Sequence, residues 1–212
     1  MTTAREEVLG RIRTALGEGG APVAEIARDY RQAGSDGGGD PDALRETLVD
    51  RLEDYKATVF RCGPGEVRTT VVAALDSGLG GGWDPSSVLA APGVPGDWRP
   101  DGVADDPGGE PVALAERAAS LVGVAVAVAE TGTLVLDGSP VSGRRALSLL
   151  PDCLVCVVTA DQVVRGVPEM VGRLDPHAAL TMISGPSATS DIELERVEGV
   201  HGPRTLLVVL VS

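Results

Sequence analysis

TLLVVLV, from Thr205 to Val211, is an unbroken apolar run, and CLVCVVT, from Cys153 to Thr159, resembles it. A strand with one solvated face alternates apolar and polar residues, whereas a strand covered on both faces shows a nearly continuous apolar run. The two segments therefore predict central strands of a mainly parallel sheet with other layers packed on both of its faces.

Strand and helix patterns alternate in the rest of the chain. Further strands are predicted for ATVF, SVLAAP, GVAVAVAE, GTLVL and ALTMIS, which begin at residues 57, 87, 123, 132 and 179. Helices are predicted over 66–76, 112–121, 142–150 and 168–174. Such alternation indicates an α/β fold with three α/β/α layers and a mainly parallel sheet.

Helices also precede this region. Thr3 and Glu6 have the spacing of a capping box, which starts a helix that runs to Leu16. A second helix begins at Asp40-Pro41, with a cap and a proline in its first turn. We expect a helical extension over residues 1–56 and the α/β domain over 57–212.

The charge and hydropathy of the sequence indicate which kinds of binding partner are expected. The 212 residues carry a formal charge of −13, which repels phosphate backbones and anionic membranes, so we expect neither nucleic-acid nor membrane binding. No leader pattern or apolar stretch long enough to span a bilayer is present, which predicts a cytoplasmic protein.

No cofactor or metal is expected. Cys153 and Cys156 have the spacing of a metal or redox pair, but residues three apart on a strand point to opposite faces, which favours two core thiols. The cysteine clusters typical of iron–sulfur proteins are absent from the sequence. The glycines of 77–83 follow a helix, which is the wrong context for a dinucleotide loop. The long polar loop 93–111 is either an insertion or a lid.

The first candidate site segment is AETGT, residues 129–133, which follows a predicted strand. Glu130 is a candidate catalytic base or nucleophile, and Thr131, Gly132 and Thr133 are candidate ligand-binding residues. The alternative is that Glu130 only hydrogen-bonds amides of the loop.

The second candidate segment is SGPS, residues 184–187, which we expect to lead into a helical turn. Ser184, Gly185, Ser187 and Asp191 are the candidate ligand-binding residues, and free amides at the turn favour a small carboxylate or phosphate. The alternative is that the serines and Asp191 only cap the helical turn.

The third candidate segment is HGPR, residues 201–204, before the last strand. His201 is a candidate for proton transfer, and Gly202 and Arg204 are candidate ligand-binding residues. Arg145 is a further candidate cation, with an ordinary surface arginine as the alternative. Because ligands bind beyond the carboxyl ends of strands in open α/β sheets, we expect Glu130 and His201 to face one cleft.

Four motifs in this order, AETGTLVL, RRALSLLP, ISGPSATSDIE and GVHGPR, resemble the LUD-domain family from about Val122 to the last residue. The resemblance implies the fold shared by ribose-5-phosphate isomerase, glucosamine-6-phosphate deaminase and CoA transferases. The chain departs from the family pattern at Ala188, where relatives often have Arg or Asn, and at Cys153, where they often have His or an aromatic residue.

The resemblance also implies a function. It points to the cluster-free subunit of a system that oxidises L-lactate to pyruvate and allows growth on lactate, with partner subunits that carry iron–sulfur clusters. An alternative is a stand-alone enzyme of the sugar-phosphate isomerase or CoA-transferase type that uses Glu130. Against it, no lysine lies near the predicted cleft, and Thr-Gly follows Glu130 where CoA transferases usually have Asn-Gly. A regulator with a vestigial pocket is the third possibility.

Overall fold

The computed structural model describes residues 3–17, 26–27, 29–31, 40–190, 196–198 and 202–212. The helices of this part are α1 (Ala4–Leu16), α2 (Pro41–Asp54), α3 (Val67–Leu79), α4 (Val112–Ala115) and α5 (Val167–Arg173). The strands are β1 (Thr58–Cys62), β2 (Val88–Ala90), β3 (Ala104–Asp105), β4 (Ala119–Gly123), β5 (Val126–Val128), β6 (Thr133–Leu136), β7 (Cys153–Thr159), β8 (Val163–Val164), β9 (Thr181–Ile183), β10 (Ala188–Ser190), β11 (Arg196–Glu198) and β12 (Thr205–Val211).

The main sheet has six strands in the order β1-β12-β7-β4-β2-β3, and every neighbouring pair is parallel. Strands β12 and β7 are neighbouring interior strands, with Thr205 opposite Cys153 and Val211 opposite Thr159. Nearly all of their side chains are buried, because layers cover both faces. The predicted α/β class and mainly parallel sheet are confirmed.

A second sheet has four strands in the order β8-β5-β6-β9, with β6 antiparallel to both β5 and β9. Its side chains alternate between two cores, as the period of two in a strand requires. Leu134 and Leu136 pack in the core of the main sheet, whereas Val135 packs on the other side with Met170 of α5. The small sheet therefore forms a layer between the main sheet and α5.

Helices α2 and α3 also pack into the main core. Leu48 and Leu52 of α2 and Val71 and Leu75 of α3 have no exposed surface. Asp40 caps α2 by accepting a hydrogen bond from the amide of Asp42, as expected for the Asp-Pro start. The predicted boundary between residues 56 and 57 stays a prediction.

The chain divides into two units, residues 1–31 and 32–212. The first unit contains α1, whose capping box between Thr3 and Glu6 is formed and which ends before Gly17, as predicted. None of the described helices is both long and apolar enough to span a membrane.

Three sequence predictions of secondary structure within residues 112–150 are wrong. The helix predicted over 142–150 is only the 3-10 turn Arg145–Ser148. The helix predicted over 112–121 ends at Ala115, because the following residues form strand β4 at the heart of the sheet. The predicted single strand 123–130 changes sheets within two residues. Val124 donates to the carbonyl of Val157 in the main sheet, whereas Ala125 donates to that of Val135 in the small sheet.

The loop 93–111 is packed against the main sheet. Its short strand β3 pairs with β2, and its Asp106 is buried in a two-point ion pair with Arg144. Arg68 of α3 holds the same loop through the Asp101 carboxylate at 2.8 Å and the Gly96 carbonyl at 2.7 Å. These contacts make the loop a fixed wall of the domain.

Candidate functional site

Two of the predicted site segments meet at one edge of the four-stranded sheet, namely the edge where strands β5 and β9 end and β6 begins. Val128 at the end of β5 lies opposite Thr133 at the start of β6, and Ile183 at the end of β9 lies opposite Leu134. The turn 129–132 and the loop that starts at Ser184 therefore leave the sheet at the same edge.

Three hydroxyl groups form a chain across this edge. The Oγ1 atoms of Thr131 and Thr133 are 2.7 Å apart, and Thr133 Oγ1 is 2.8 Å from Ser184 Oγ. Thr133 is buried, and a buried hydroxyl without a partner would be costly. Its position between two hydroxyls meets that requirement and fixes Ser184 in orientation.

Gly132 and Gly185 bring this edge against α2. Gly132 has a φ of +59°, and a Cβ there would lie 2.9 Å from Cβ of Arg51. Gly185 has a φ of +87°, and a Cβ there would lie 2.7 Å from the carbonyl oxygen of Tyr55. Both positions need a residue with no side chain, because the backbone is left-handed and the approach is close.

A cleft of about 290 Å³ opens beside Ser184. Five of the predicted site residues line it, namely Arg145, Ser184, Gly185, Ser187 and Gly202. The amide of Ser187 donates to the carbonyl of Pro203 at 2.8 Å, which joins the loop after β9 to the segment before β12. The SGPS and HGPR segments thus form two sides of one cleft.

The sequence analysis missed two polar residues of the cleft, Ser148 and Thr181. Ser148 lies in the 3-10 turn Arg145–Ser148, where its hydroxyl donates to the carbonyl of Arg145 at 2.9 Å. Thr181 is the first residue of β9 and is buried. The sequence feature that could have identified Thr181 is its hydroxyl group within the otherwise apolar strand pattern ALTMI.

Two expectations about the surroundings of the cleft are wrong. Ser184–Ser187 leads into strand β10, which pairs with β11, so no helical turn follows the SGPS segment. The cleft also lies before β7 and β12, at the amino ends of these parallel strands. Side chains such as Arg145 and the serines therefore provide the polar groups that a helix end was expected to provide.

Glu130 is exposed and does not line this cleft. Its amide donates to the carbonyl of Arg165 at 3.0 Å, and its Oε2 atom lies 2.9 Å from the position of a Cβ on Gly166. The carboxylate of Glu169 accepts a hydrogen bond of 3.2 Å from the amide of the same glycine. Glu130 thus sits beside the start of α5.

Asp191 and His201 lie outside the described residues, so their place relative to the cleft stays a prediction. Arg204 is exposed, and its Nε atom is 3.7 Å from Oδ1 of Asp152.

All three cysteines are buried and free of disulfides. Burial raises the pKa of Cys153 to about 12, and burial likewise raises the pKa of Cys156. The described residues include no group of three or more His, Cys, Asp or Glu side chains arranged to hold a metal ion.

These features describe a mainly parallel α/β protein with a polar cleft lined by β9 and by the segments that precede β7 and β12. The family model of the LUD domain matches residues 113–211. A lactate utilization protein C from Deinococcus radiodurans is 41% identical over 170 residues, which cover 77% of each chain. The protein of the same name from Bacillus subtilis is 33% identical over 132 residues, or 55% of this chain and 54% of that one.

A solved structure agrees with these relatives. The crystal structure of a DUF162 family protein from Deinococcus radiodurans superposes with a TM-score of 0.67 at 32% identity, covering 82% of this chain and all of that one. The chain belongs to the LUD-domain family. Within that family it is similar to the proteins named lactate utilization protein C.

Proposed function

We propose that the protein is the cluster-free subunit of a system that oxidises L-lactate to pyruvate and allows growth on lactate. The observation that carries the proposal is the 41% identity to a lactate utilization protein C across 77% of both chains. The iron–sulfur clusters that accept the electrons belong, in this proposal, to partner subunits.

The cleft supports a ligand with a carboxylate and a neighbouring oxygen, as in lactate and pyruvate. Arg145 offers a guanidinium that can hold a carboxylate in a two-point contact. Ser184, Ser187 and Thr181 offer hydroxyl groups, which can donate to or accept from a ligand oxygen. Phosphate would meet the same groups, so the ligand class is a small carboxylate or phosphate.

Oxidation of lactate removes two electrons and two protons from its carbinol carbon and hydroxyl. In the proposed division of labour this chain binds and orients the carboxylate, the partner subunits take the two electrons, and the two protons pass to solvent. The alternative of a stand-alone isomerase or CoA transferase would rest on Glu130. Because Glu130 lies beside Gly166 and not among the cleft-lining residues, we do not propose that alternative.

Growth of the source organism tests the role. Deletion of the gene is expected to abolish growth on L-lactate as sole carbon source and to leave growth on pyruvate unchanged, with restoration by the wild-type gene. Undiminished growth of the deletion strain on lactate would contradict the proposed function.

Calorimetry with the purified chain tests the cleft separately. Lactate, pyruvate and phosphate are titrated at millimolar concentration into the wild type and into Arg145→Gln and Ser187→Ala. The matched control is Arg11→Gln, which removes an exposed positive charge from α1. We expect weaker binding only for the two cleft variants, and equal binding by all four proteins would place the ligand elsewhere.

A further inference from the structure

A second cavity, of about 420 Å³, lies at the other end of the central strands. Cys62, Val211 and Thr159 are in register at the ends of β1, β12 and β7, and the cavity is lined by residues at and beyond these ends. In parallel α/β sheets, ligands bind in the crevice outside the carboxyl ends of the strands. The cavity occupies that position, which the cleft described above does not.

The outer wall of this cavity is held firmly. Asp97 and Trp98 of the loop 93–111 form it. Trp98 is partly buried and packs against the main core. The next residue, Arg99, is tied to the carbonyl of Val94 at 3.0 Å and to Asp105 at 2.7 Å. The indole of Trp98 therefore lines the cavity from a loop that is held in place.

The lining combines an aromatic ring, apolar side chains and negative charge. Val67 and Val211 supply the apolar surface, and Asp97 and Asp161 supply the carboxylates. Thr159 lies next to Asp161, and its hydroxyl donates to the Asp161 carboxylate at 2.5 Å. No Lys, Arg or His is among the described lining residues.

Of the nearby basic side chains, Arg68 is paired with a carboxylate, whereas Arg173 keeps its positive charge because its partner is a neutral carbonyl. Arg68 is bound to Asp101 and to the Gly96 carbonyl, and Arg173 donates to the backbone carbonyl of Asp161 at 2.6 Å. The carboxylates of Asp97 and Asp161 are exposed and form no ion pair within the described part of the chain. Both residues line the cavity.

We infer that this cavity binds a small organic cation, an amine or quaternary ammonium group on an apolar body. The indole of Trp98 attracts a cation over its face, and the apolar lining takes up the body of the ligand. The net charge of −13 draws cations toward the protein at long range. The inference is independent of the proposed role in lactate utilisation, since the two ligands are of opposite charge and bind at opposite ends of the strands.

Fluorescence of Trp98 tests the inference. The chain has two tryptophans, so Trp83→Phe leaves Trp98 as the single indole. This variant is titrated with benzyltrimethylammonium, with benzyl alcohol and with benzoate at constant ionic strength. We expect a saturable change in emission with the cation only. Ligand-observed NMR on the wild type gives the same comparison if Trp83→Phe does not fold.

Charge variants then identify the groups that bind. Asp97→Asn and Asp161→Asn are each expected to weaken binding of benzyltrimethylammonium by about threefold or more. Glu116→Gln is the matched control, because it removes one exposed negative charge away from the cavity. Equal responses to the cation and to benzyl alcohol, or aspartate variants that behave like Glu116→Gln, would overturn the inference.

Discussion

The hydroxyl oxygens of Thr133 and Ser184 lie 2.8 Å apart, although the two residues are 51 positions apart in the chain. This contact joins strand β6 to the loop after β9, at the rim of the polar cleft. Because Thr133 is buried between two hydroxyl partners, it can act on a ligand only by positioning Ser184.

Removing the Thr133 hydroxyl tests this role. Thr133→Val keeps the shape of the side chain and should lower the free energy of unfolding by about 1–2 kcal/mol, because Thr131 and Ser184 lose a partner. It should also weaken binding of lactate or phosphate in calorimetry. Thr133→Ser retains the hydroxyl and serves as the control. If urea unfolding and ligand affinity are the same for Thr133→Val and Thr133→Ser, the hydroxyl chain has no positioning role.

Substitution of Gly185 tests the close contact between the loop that starts at Ser184 and Tyr55 at the end of α2. Gly185→Ala should cost about 1–2 kcal/mol more in unfolding free energy than Gly82→Ala. The two glycines have nearly the same φ, +87° and +84°, but only the Cβ at 185 would collide with Tyr55, while 82 has open space. Urea unfolding of both variants isolates the collision from the backbone strain, and equal losses would contradict the packing described here.

The ion pair between Arg144 and Asp106 predicts a dependence of stability on pH. Hydrogen bonds from Arg144 hold the pKa of Asp106 below its ordinary value. A lowered folded-state pKa stabilises the protein above the unfolded pKa of about 3.9, and the contribution is lost as the pH falls through the folded value.

Arg144→Gln should therefore cost about 2 kcal/mol in unfolding free energy at pH 7 and less at pH 3. Urea unfolding at the two pH values measures the difference. The control Arg11→Gln breaks an exposed pair with Glu7 and should cost at most about 0.5 kcal/mol at either pH. A cost for Arg144→Gln that is the same at pH 3 and pH 7 would rule out this coupling.

The cysteines should be inert in the folded protein. All three are buried, and the pKa of Cys153 is about 12, so little thiolate forms at pH 8. Ellman's reagent should detect no rapidly reacting thiol in the native chain and three after unfolding in urea. Thr69→Cys places a thiol on the exposed surface of α3 as a positive control. Rapid reaction of a native thiol would show that the core around β7 opens.

The central strands were predictable because a strand that is buried on both faces is an almost continuous run of apolar residues. Every residue of TLLVVLV except its threonine is apolar, and β12 is an interior strand between β1 and β7. Helix caps such as Thr3 and Asp40 were predictable for a similar reason, since capping depends on neighbours within a few residues.

The change of sheet after Val124 was not predictable in this way. Residues on either side of it are small and apolar, so the pattern is the same whether their partner is Val157 or Val135. Ala119 to Leu121 likewise favour a helix locally, and only their pairing with β7 and β2 makes them a strand. The Thr133–Ser184 contact and the cavity beside Trp98 both depend on partners far away in sequence.

Strand β12 has seven residues, so about 23 Å separates the cleft at its start from the cavity at its end. Two unit charges at that distance interact by only about 0.7 kcal/mol at an effective dielectric constant of 20. Mobile ions reduce this further, because the Debye length is about 8 Å at physiological salt. One end can therefore favour anions through Arg145 while the other favours cations through Asp97 and Asp161, and neither preference requires the overall charge of the protein to change.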